Sequence, residues 1–368
     1  MKLPLSLSLA AVCATVCAGF EPLPPGHIQD SVGRAGMIAA LLEPNEHHST
    51  PVTLLAGGAN FPYAKPGAQS AAERGEKVFY DEVAAMPHVL NSAPDGQPIK
   101  PLTVSKLPRP VGYAAFVSTP GGVVVAGGCN AGGHTAQVTR LELHGTDLRV
   151  EALPELPRTV AYPAFALVDN KIYVIGGQEK ADSVTCLSSC YVLDLGNVNS
   201  GWREIAPMPG GRMLAAAGVV NGFIYVMGGC SLHADANGEA ERTYLNDVLC
   251  YDPVSNSWAR VNNEMPQTLV GMANPLPVYR GKLYVVGGDP GEYYRATLAG
   301  HQPAQHPGQS KVVYSYTPAT GEWRKEGELS QGVATLPAVL ADGVIYAISG
   351  ETHPGVRTPV IEAFSVEK

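Results

Sequence analysis

Short apolar runs recur along this chain, and most of them end the same way. "LLAGG" closes at Gly58, "VVAGG" at Gly128, "YVIGG" at Gly177, "YVMGG" at Gly229 and "YVVGG" at Gly288, while a sixth, "YAISG", closes at Gly350 with serine in place of the first glycine. The intervals are 70, 49, 52, 59 and 62 residues, a repeat with insertions of variable length. Within a unit the order is constant. Around Gly229, "AAAGVV" is a first apolar strand, "NG" a two-residue turn and "FIYVMGG" a second strand. The alternating "NDVLCYD" follows, then "SWARVNNEMP", a fourth strand running into proline. The unit around Gly177 repeats the order as "AFALV", "DN", "KIYVIGG", "CYVLDL" and "GWREIAPMP". Alternation broken by such turns predicts antiparallel hairpins, four strands to a unit.

Six such units, five with a glycine pair and several with a tryptophan before a proline-rich exit, resemble the kelch repeat. The fold this implies is all-β, a six-bladed β-propeller with four antiparallel strands per blade, which avoids open sheet edges by closing into a ring. The last unit ends at "VIEAFSVEK" and lacks a fourth strand. "GFEPLPPG" (19–26) reads like "RVEALPELP" (149–157), a fourth strand elsewhere, so the N-terminal strand is expected to complete the sixth blade and close the ring. Trp202, Trp258 and Trp323 recur at matching positions and are read as blade packing; Arg158 and Arg212 are read as framework residues. Turns between first and second strands are short, whereas the connections after the glycine pairs (59–77, 129–136, 178–189, 230–245, 289–311) are mostly long. In an antiparallel blade these lie on one face, so function is expected at that rim of the channel.

The composition fits this picture. Of 368 residues 45% are hydrophobic and 16% charged, with 41 Gly and 31 Pro, as in a protein of short strands and turns. Residues 1–18, with Lys2, the apolar "LPLSLSLAAVCATV" and a cleavage site at Ala18, read as an export signal, leaving 19–368 as a single propeller domain. Loss of Lys2 takes the net charge from −8 to −9, which favours neither nucleic acid nor a membrane surface. Cys129, Cys186, Cys190, Cys230 and Cys250 remain, an odd number, of which Cys186 and Cys190 could pair in an oxidising compartment. No spacing resembles a zinc site, so no metal is expected. His301 and His306, in the longest late loop, are read as solvated.

The sixth unit departs from the rest. "ISGETHPGVRTP" (348–359) sets Glu351 after the glycine and Arg357 six residues on, around a Pro354-Gly355 pair suited to a type II turn. By itself such a pair is as consistent with a salt bridge pinning the loop as with catalysis. The stretch closely resembles that of the N-acetylneuraminate epimerases (sialic acid mutarotases). "LLAGGANFP" (54–62) with "KVFYDEV" (77–83) resembles the signature of their cyclically permuted subgroup, in which the GGANFP blade comes first and the GE-x-x-PG-x-R blade last. "WRKEGELSQG" (323–332) also fits. The resemblance implies interconversion of the α and β anomers of a sialic acid, without metal or organic cofactor, with Glu351 as proton acceptor and Arg357 as its partner. It also implies an exported protein, periplasmic or alternatively secreted. Asn60, Phe61, Tyr113 and Tyr162 are the candidate substrate contacts. On this reading the sixth unit gives up Gly-Gly to place a carboxylate at the rim. The group that protonates the ring oxygen stays open among a tyrosine, a water and Glu351 itself. The insert after GGANFP lacks the family's usual tryptophan, and the loops 230–245 and 289–311 match nothing in the pattern; they are expected to set what fits over the channel. A non-catalytic glycan- or protein-binding kelch module is the alternative. Sialidase is disfavoured because no Ser-x-Asp-x-Gly box is present.

Overall fold

The turn chemistry read from the sequence is what the chain adopts. Asp169–Asn170, Asn221–Gly222 and Asp342–Gly343 all take positive φ, the conformation that joins twisted antiparallel strands through two residues. The computed structural model of the chain describes residues 33–64, 74–87, 102–120, 122–145, 147–300 and 306–367. Its strands form six antiparallel sheets arranged as a six-bladed propeller. The first blade is Ile38–Leu42, Val52–Ala56, Glu82–Pro87 and Leu102–Lys106; the second is Ala115–Thr119, Gly122–Ala126, Val138–His144 and Asp147–Leu153. Ala164–Val168, Lys171–Ile175, Cys190–Asp194 and Arg203–Ile205 form the third, and Ala216–Val220, Phe223–Met227, Val248–Asp252 and Ser257–Arg260 the fourth. The fifth is Val278–Tyr279, Lys282–Val286, Val312–Thr317 and Glu322–Glu328. Among the described residues the sixth blade has three strands, Ala338–Ala341, Val344–Ile348 and Ile361–Ser365. The export signal and the expected closing strand at 19–26 lie outside the described residues.

The core lies between blades, where facing sheets bury Val, Ile, Leu and small side chains. The tryptophans tie neighbouring blades together as expected. Trp202 Nε1 donates to Pro154 O at 2.8 Å, Trp258 Nε1 to Ala206 O at 2.9 Å and Trp323 Nε1 to Asn263 O at 3.3 Å. Arg212 is a framework residue, buried and paired through both terminal nitrogens with Asp247 (2.7 and 2.9 Å). Arg158 is not. It is exposed and makes a 3.5 Å surface pair with Glu179, while the counterpart of Arg212 is Arg34 of the first blade, paired with Glu82 at 3.1 Å. The five cysteines are free thiols, and Cys186 and Cys190 turn apart, towards Cys230 O and Ser188 O respectively.

Two rings of backbone hydrogen bonds encircle the channel. Gly36, Tyr113, Tyr162, Leu214, Gly271 and Thr335 precede the first strand of each blade, all with φ between 53° and 65°. Each N–H donates to the carbonyl of its counterpart in the preceding blade at 2.5–2.9 Å, and Gly36 donates to Thr335, so the circle is complete. In the second ring, Gly58, Gly128, Gly177, Gly229, Gly288 and Gly350 donate to the lead-in of the following blade at 2.7–3.0 Å, Gly350 reaching Arg34 O. The segment before the first strand therefore closes the ring.

This closure corrects the reading of the serine. In blades one to five a Cβ on the first glycine of the pair would lie 2.3–2.7 Å from the carbonyl of the next lead-in, at positive φ, so glycine is required there. Ser349 keeps the same conformation (φ 56°) and answers that carbonyl with its hydroxyl. Its Oγ lies 2.8 Å from Arg34 O and 2.7 Å from Thr358 O, and accepts from Arg34 N–H at 2.8 Å. The serine ties the chain's beginning to its end. Glu351 needed no exchange of glycine, because it stands where Ala59, Cys129, Gln178, Cys230 and Asp289 stand in the other blades.

Candidate active site

The six residues that follow the glycine pairs face one rim of the channel, each bridged to its own blade's lead-in. Beneath them the channel is mostly apolar, with Tyr113, Tyr162, Asn274 and Thr335 among its lining. A cavity of about 50 Å³ is lined by Met37, Phe116, Phe165, Met272 and Leu336, and one of about 240 Å³ lies among Leu41, Val117, Leu167 and Leu340 on the first strands. Polar chemistry is concentrated at the rim.

In the sixth blade Glu351–His353 and Val356–Arg357 form a two-stranded hairpin turning through Pro354 and Gly355, the latter at φ 85°. Glu351 and Arg357 are register partners, so their side chains share one face of the hairpin. Glu351 Oε2 pairs with Arg357 Nη1. The pair does not cap itself in solvent: the Arg357 side chain is 2% exposed and that of Glu351 20%. Glu351 lies deep among protein atoms yet keeps a fifth of its side chain exposed. Burial raises its pKa above the ordinary carboxylate value; Arg357 and then Lys77 oppose that rise, and Asp289 adds to it.

Arg357 is held from three sides. Glu351 pairs with one terminal nitrogen, the Tyr113 phenol lies close enough to feel the guanidinium charge, and Phe61 lies 5.2 Å from its Cζ. Its Nε is buried and has no hydrogen-bond partner among the described residues. A buried guanidinium with an unanswered donor is suited to an incoming carboxylate.

Four of the six residues singled out by sequence gather with the hairpin: Glu351, Arg357, Phe61 and Tyr113. Tyr162 stands behind Tyr113, ring centroids 4.8 Å apart, with its hydroxyl 3.8 Å from Cys129 Sγ. Burial pushes the Tyr113 phenol up to about 12 and that of Tyr162 well above the ordinary value, so both stay protonated and able to donate. Asn60 differs from the others. It is buried, its amide donates to Gly33 O at 2.7 Å and accepts from Phe61 N–H at 2.6 Å, which makes it a brace for Phe61 and for the ring-closing segment.

The sequence reading missed Lys77. The strand Val78–Phe79 pairs with Ala59–Asn60, and Lys77 leads into it on the same side as Phe79. Its Nζ lies 5.4 Å from the Phe61 ring, 5.4 Å from Tyr113 and 5.9 Å from Phe79. Burial lowers its pKa, and the Arg357 charge lowers it further. Alternation with Phe79 was the available signal, but on a two-residue strand it carried no weight. Asp289 was missed too, although lining up the residue after each glycine pair exposes it beside Glu351. His306 is not a free loop residue: its ring packs 4.7 Å from Tyr293 and 5.8 Å from His353 on the hairpin tip. His301 lies outside the described residues.

Residues 153–311 match the family model for N-acetylneuraminate epimerase. The chain is similar to the N-acetylneuraminate epimerase of Haemophilus influenzae, 30% identical over 189 residues that cover 46% of this chain and 49% of that protein. The Pasteurella multocida protein of the same name is 29% identical over 216 residues, 52% and 53% of the two chains. That of Shigella flexneri is 30% identical over 193 residues, 46% and 50%. The chain thus spans about half the length of the curated relatives it matches. The family-model match runs from the exit of the second blade into the fifth, and leaves out both the Glu351 hairpin and the Ala59–Asn60 strand with Phe61.

Proposed function

We propose that this chain is a sialic acid mutarotase, an isomerase that interconverts the α and β anomers of N-acetylneuraminate by opening and reclosing the sugar ring. The observation that carries the reading is the Glu351–Arg357 pair at the rim, with its raised carboxylate and its unanswered Arg357 Nε. The half-length matches to N-acetylneuraminate epimerases support the substrate class. A half-length match is also what a cyclic permutation produces, because two chains that enter the same ring at different blades are collinear over only part of their length.

The substrate carries a carboxylate and a hydroxyl on its anomeric carbon. Arg357 receives the carboxylate through Nε, and Lys77 supports it with charge. Glu351 takes the proton of the anomeric hydroxyl as the bond from that carbon to the ring oxygen breaks. The ring oxygen takes a proton from Lys77, whose lowered pKa suits it to give one up. The open-chain keto acid turns its carbonyl, the ring hydroxyl attacks the other face, and both protons return. Phe61 and Tyr113 wall the site. Tyr162 stands behind Tyr113, and Asn60 holds Phe61 in place.

Proton NMR of freshly released α-N-acetylneuraminate tests this. The wild type should accelerate anomer equilibration, and Glu351→Gln should lower the rate by about 10²–10⁴-fold. Equal acceleration by both removes Glu351 as the base, and no acceleration by either overturns the reading. Export through residues 1–18 to the periplasm, or to the medium, completes the proposal. Protein recovered from the periplasmic fraction should begin at Gly19.

A further inference from the structure

The long loop of the fourth blade and residues 289–300 of the fifth-blade loop are joined into one wall. In the fourth blade Cys230–Ala234 and Ala240–Tyr244 make an arm in which Leu232 faces Arg242 and Cys230 faces Tyr244. In the fifth, a short helix, Glu292–Leu298, docks against that arm: Arg242 N–H donates to Tyr294 Oη at 2.9 Å. Tyr244 Oη donates to Asp289 Oδ2 at 2.7 Å, and Arg242, two residues before Tyr244 on the same face of the arm, sets its positive charge near that hydroxyl and Asp289. Arg242 is exposed. Asp289 occupies in the fifth blade the rim position that Glu351 occupies in the sixth.

By the order of the blades, the fourth stands across the axis from the first, which carries Phe61 and Lys77. A sugar acid whose carboxylate is held by Arg357 and Lys77 presents the opposite side of its ring to the fourth and fifth blades. For a nine-carbon sialic acid that side carries a three-carbon chain with neighbouring hydroxyls. A guanidinium fork and a carboxylate set about a single hydroxyl complement such a chain, since each sugar hydroxyl can accept from the first and donate to the second.

We propose that Arg242 and Asp289, grouped with Tyr244, form a second subsite that takes the hydroxylated exocyclic chain and sets the enzyme's preference among sialic acids. The proposal rests on the mutarotase reading and adds the determinant of chain length to it.

The test compares N-acetylneuraminate with its seven-carbon analogue, made by mild periodate cleavage and borohydride reduction of the chain in a sialic acid glycoside, whose blocked anomeric carbon is spared, followed by release of the free sugar. Wild type should favour the full substrate in kcat/KM. Arg242→Ala should shrink that preference by roughly ten- to a hundredfold, chiefly through KM, as expected for a lost charge-assisted contact to substrate. Arg242→Lys, which keeps the charge and loses the fork, should recover part of it. Saturation-transfer NMR should show strong contact to the chain protons in wild type and weak contact in Arg242→Ala. An unchanged preference in both variants, or chain protons equally in contact in wild type and Arg242→Ala, overturns the subsite. If the wild type accelerates neither substrate, the mutarotase reading fails on its own, and the contact map still decides whether the chain is bound here.

Discussion

Glu351 is a carboxylate under opposed pressures. Burial, with Asp289 beside it, favours the protonated form; Arg357 and Lys77 favour the ionised one, and the balance lies above the ordinary value. A base must be ionised to act, so kcat/KM should fall on the acid side with an apparent pKa above that of a free glutamate. The direction of each neighbour's effect fixes the sign of two shifts. Asp289→Asn removes an anion, makes ionisation easier and should move that limb to lower pH. Lys77→Met removes a cation and should move it to higher pH, with a lower kcat because the proton donor is lost as well. A pH–rate profile of the three proteins reads both, and a limb that stays in place would remove Glu351 as the titrating group. At Arg357 the loss of geometry matters as much as charge. Arg357→Lys should lower kcat/KM by about 10²-fold or more, since an ammonium lacks the fork that answers Glu351 and a substrate carboxylate together.

The hairpin converts two residues six apart in sequence into one pair. Register sets Glu351 opposite Arg357, and Gly355 at φ 85° makes the turn that permits it. Gly355→Ala forces a side chain into that conformation at a cost of about 1–3 kcal/mol, felt locally. It should lower kcat while leaving the thermal midpoint within a few degrees of wild type, as followed by activity and calorimetry. The neighbouring strand is braced differently. Asn60→Ala leaves Gly33 O and Phe61 N–H without their partner in a buried setting and should cost about 1–3 kcal/mol in urea unfolding. The hairpin was legible because proline and glycine announce turns. The Asn60 brace was not, since the same asparagine written in sequence is equally a substrate contact or a cap, and its partner, Gly33, lies 27 residues away.

Across the whole molecule, closure is achieved by hydrogen bonds around the axis. The segment at 33–37 supplies the last link in both rings, and Ser349 seals it. Restoring the commoner glycine pair should therefore harm this protein. Ser349→Gly is expected to lose about 1–2 kcal/mol in denaturant unfolding, whereas a glycine pair that sufficed for closure would show no loss. The ring also explains Tyr113 and Tyr162. Both sit at its left-handed positions (φ 57° and 59°), a conformation uncommon for aromatic residues, and the circle of six bonds holds them there with their rings packed against each other at a tilt of 47°.

Alternating apolar strands, their two-residue turns and the spacing of glycine pairs are local properties, and they were enough to count the blades, order their strands and place the long connections on one face. Glu351 and Arg357 were legible for the same reason, lying within one turn of each other. What brings Lys77 of the first blade beside Arg357 of the sixth is closure of the ring, which joins residues 280 positions apart, while Asp289 meets Glu351 because consecutive blades stand side by side around the axis. The purpose of Ser349 was hidden likewise, because the carbonyl it answers belongs to Arg34. Local pattern dictated the blades; the geometry of a closed circle decided which side chains meet at its centre.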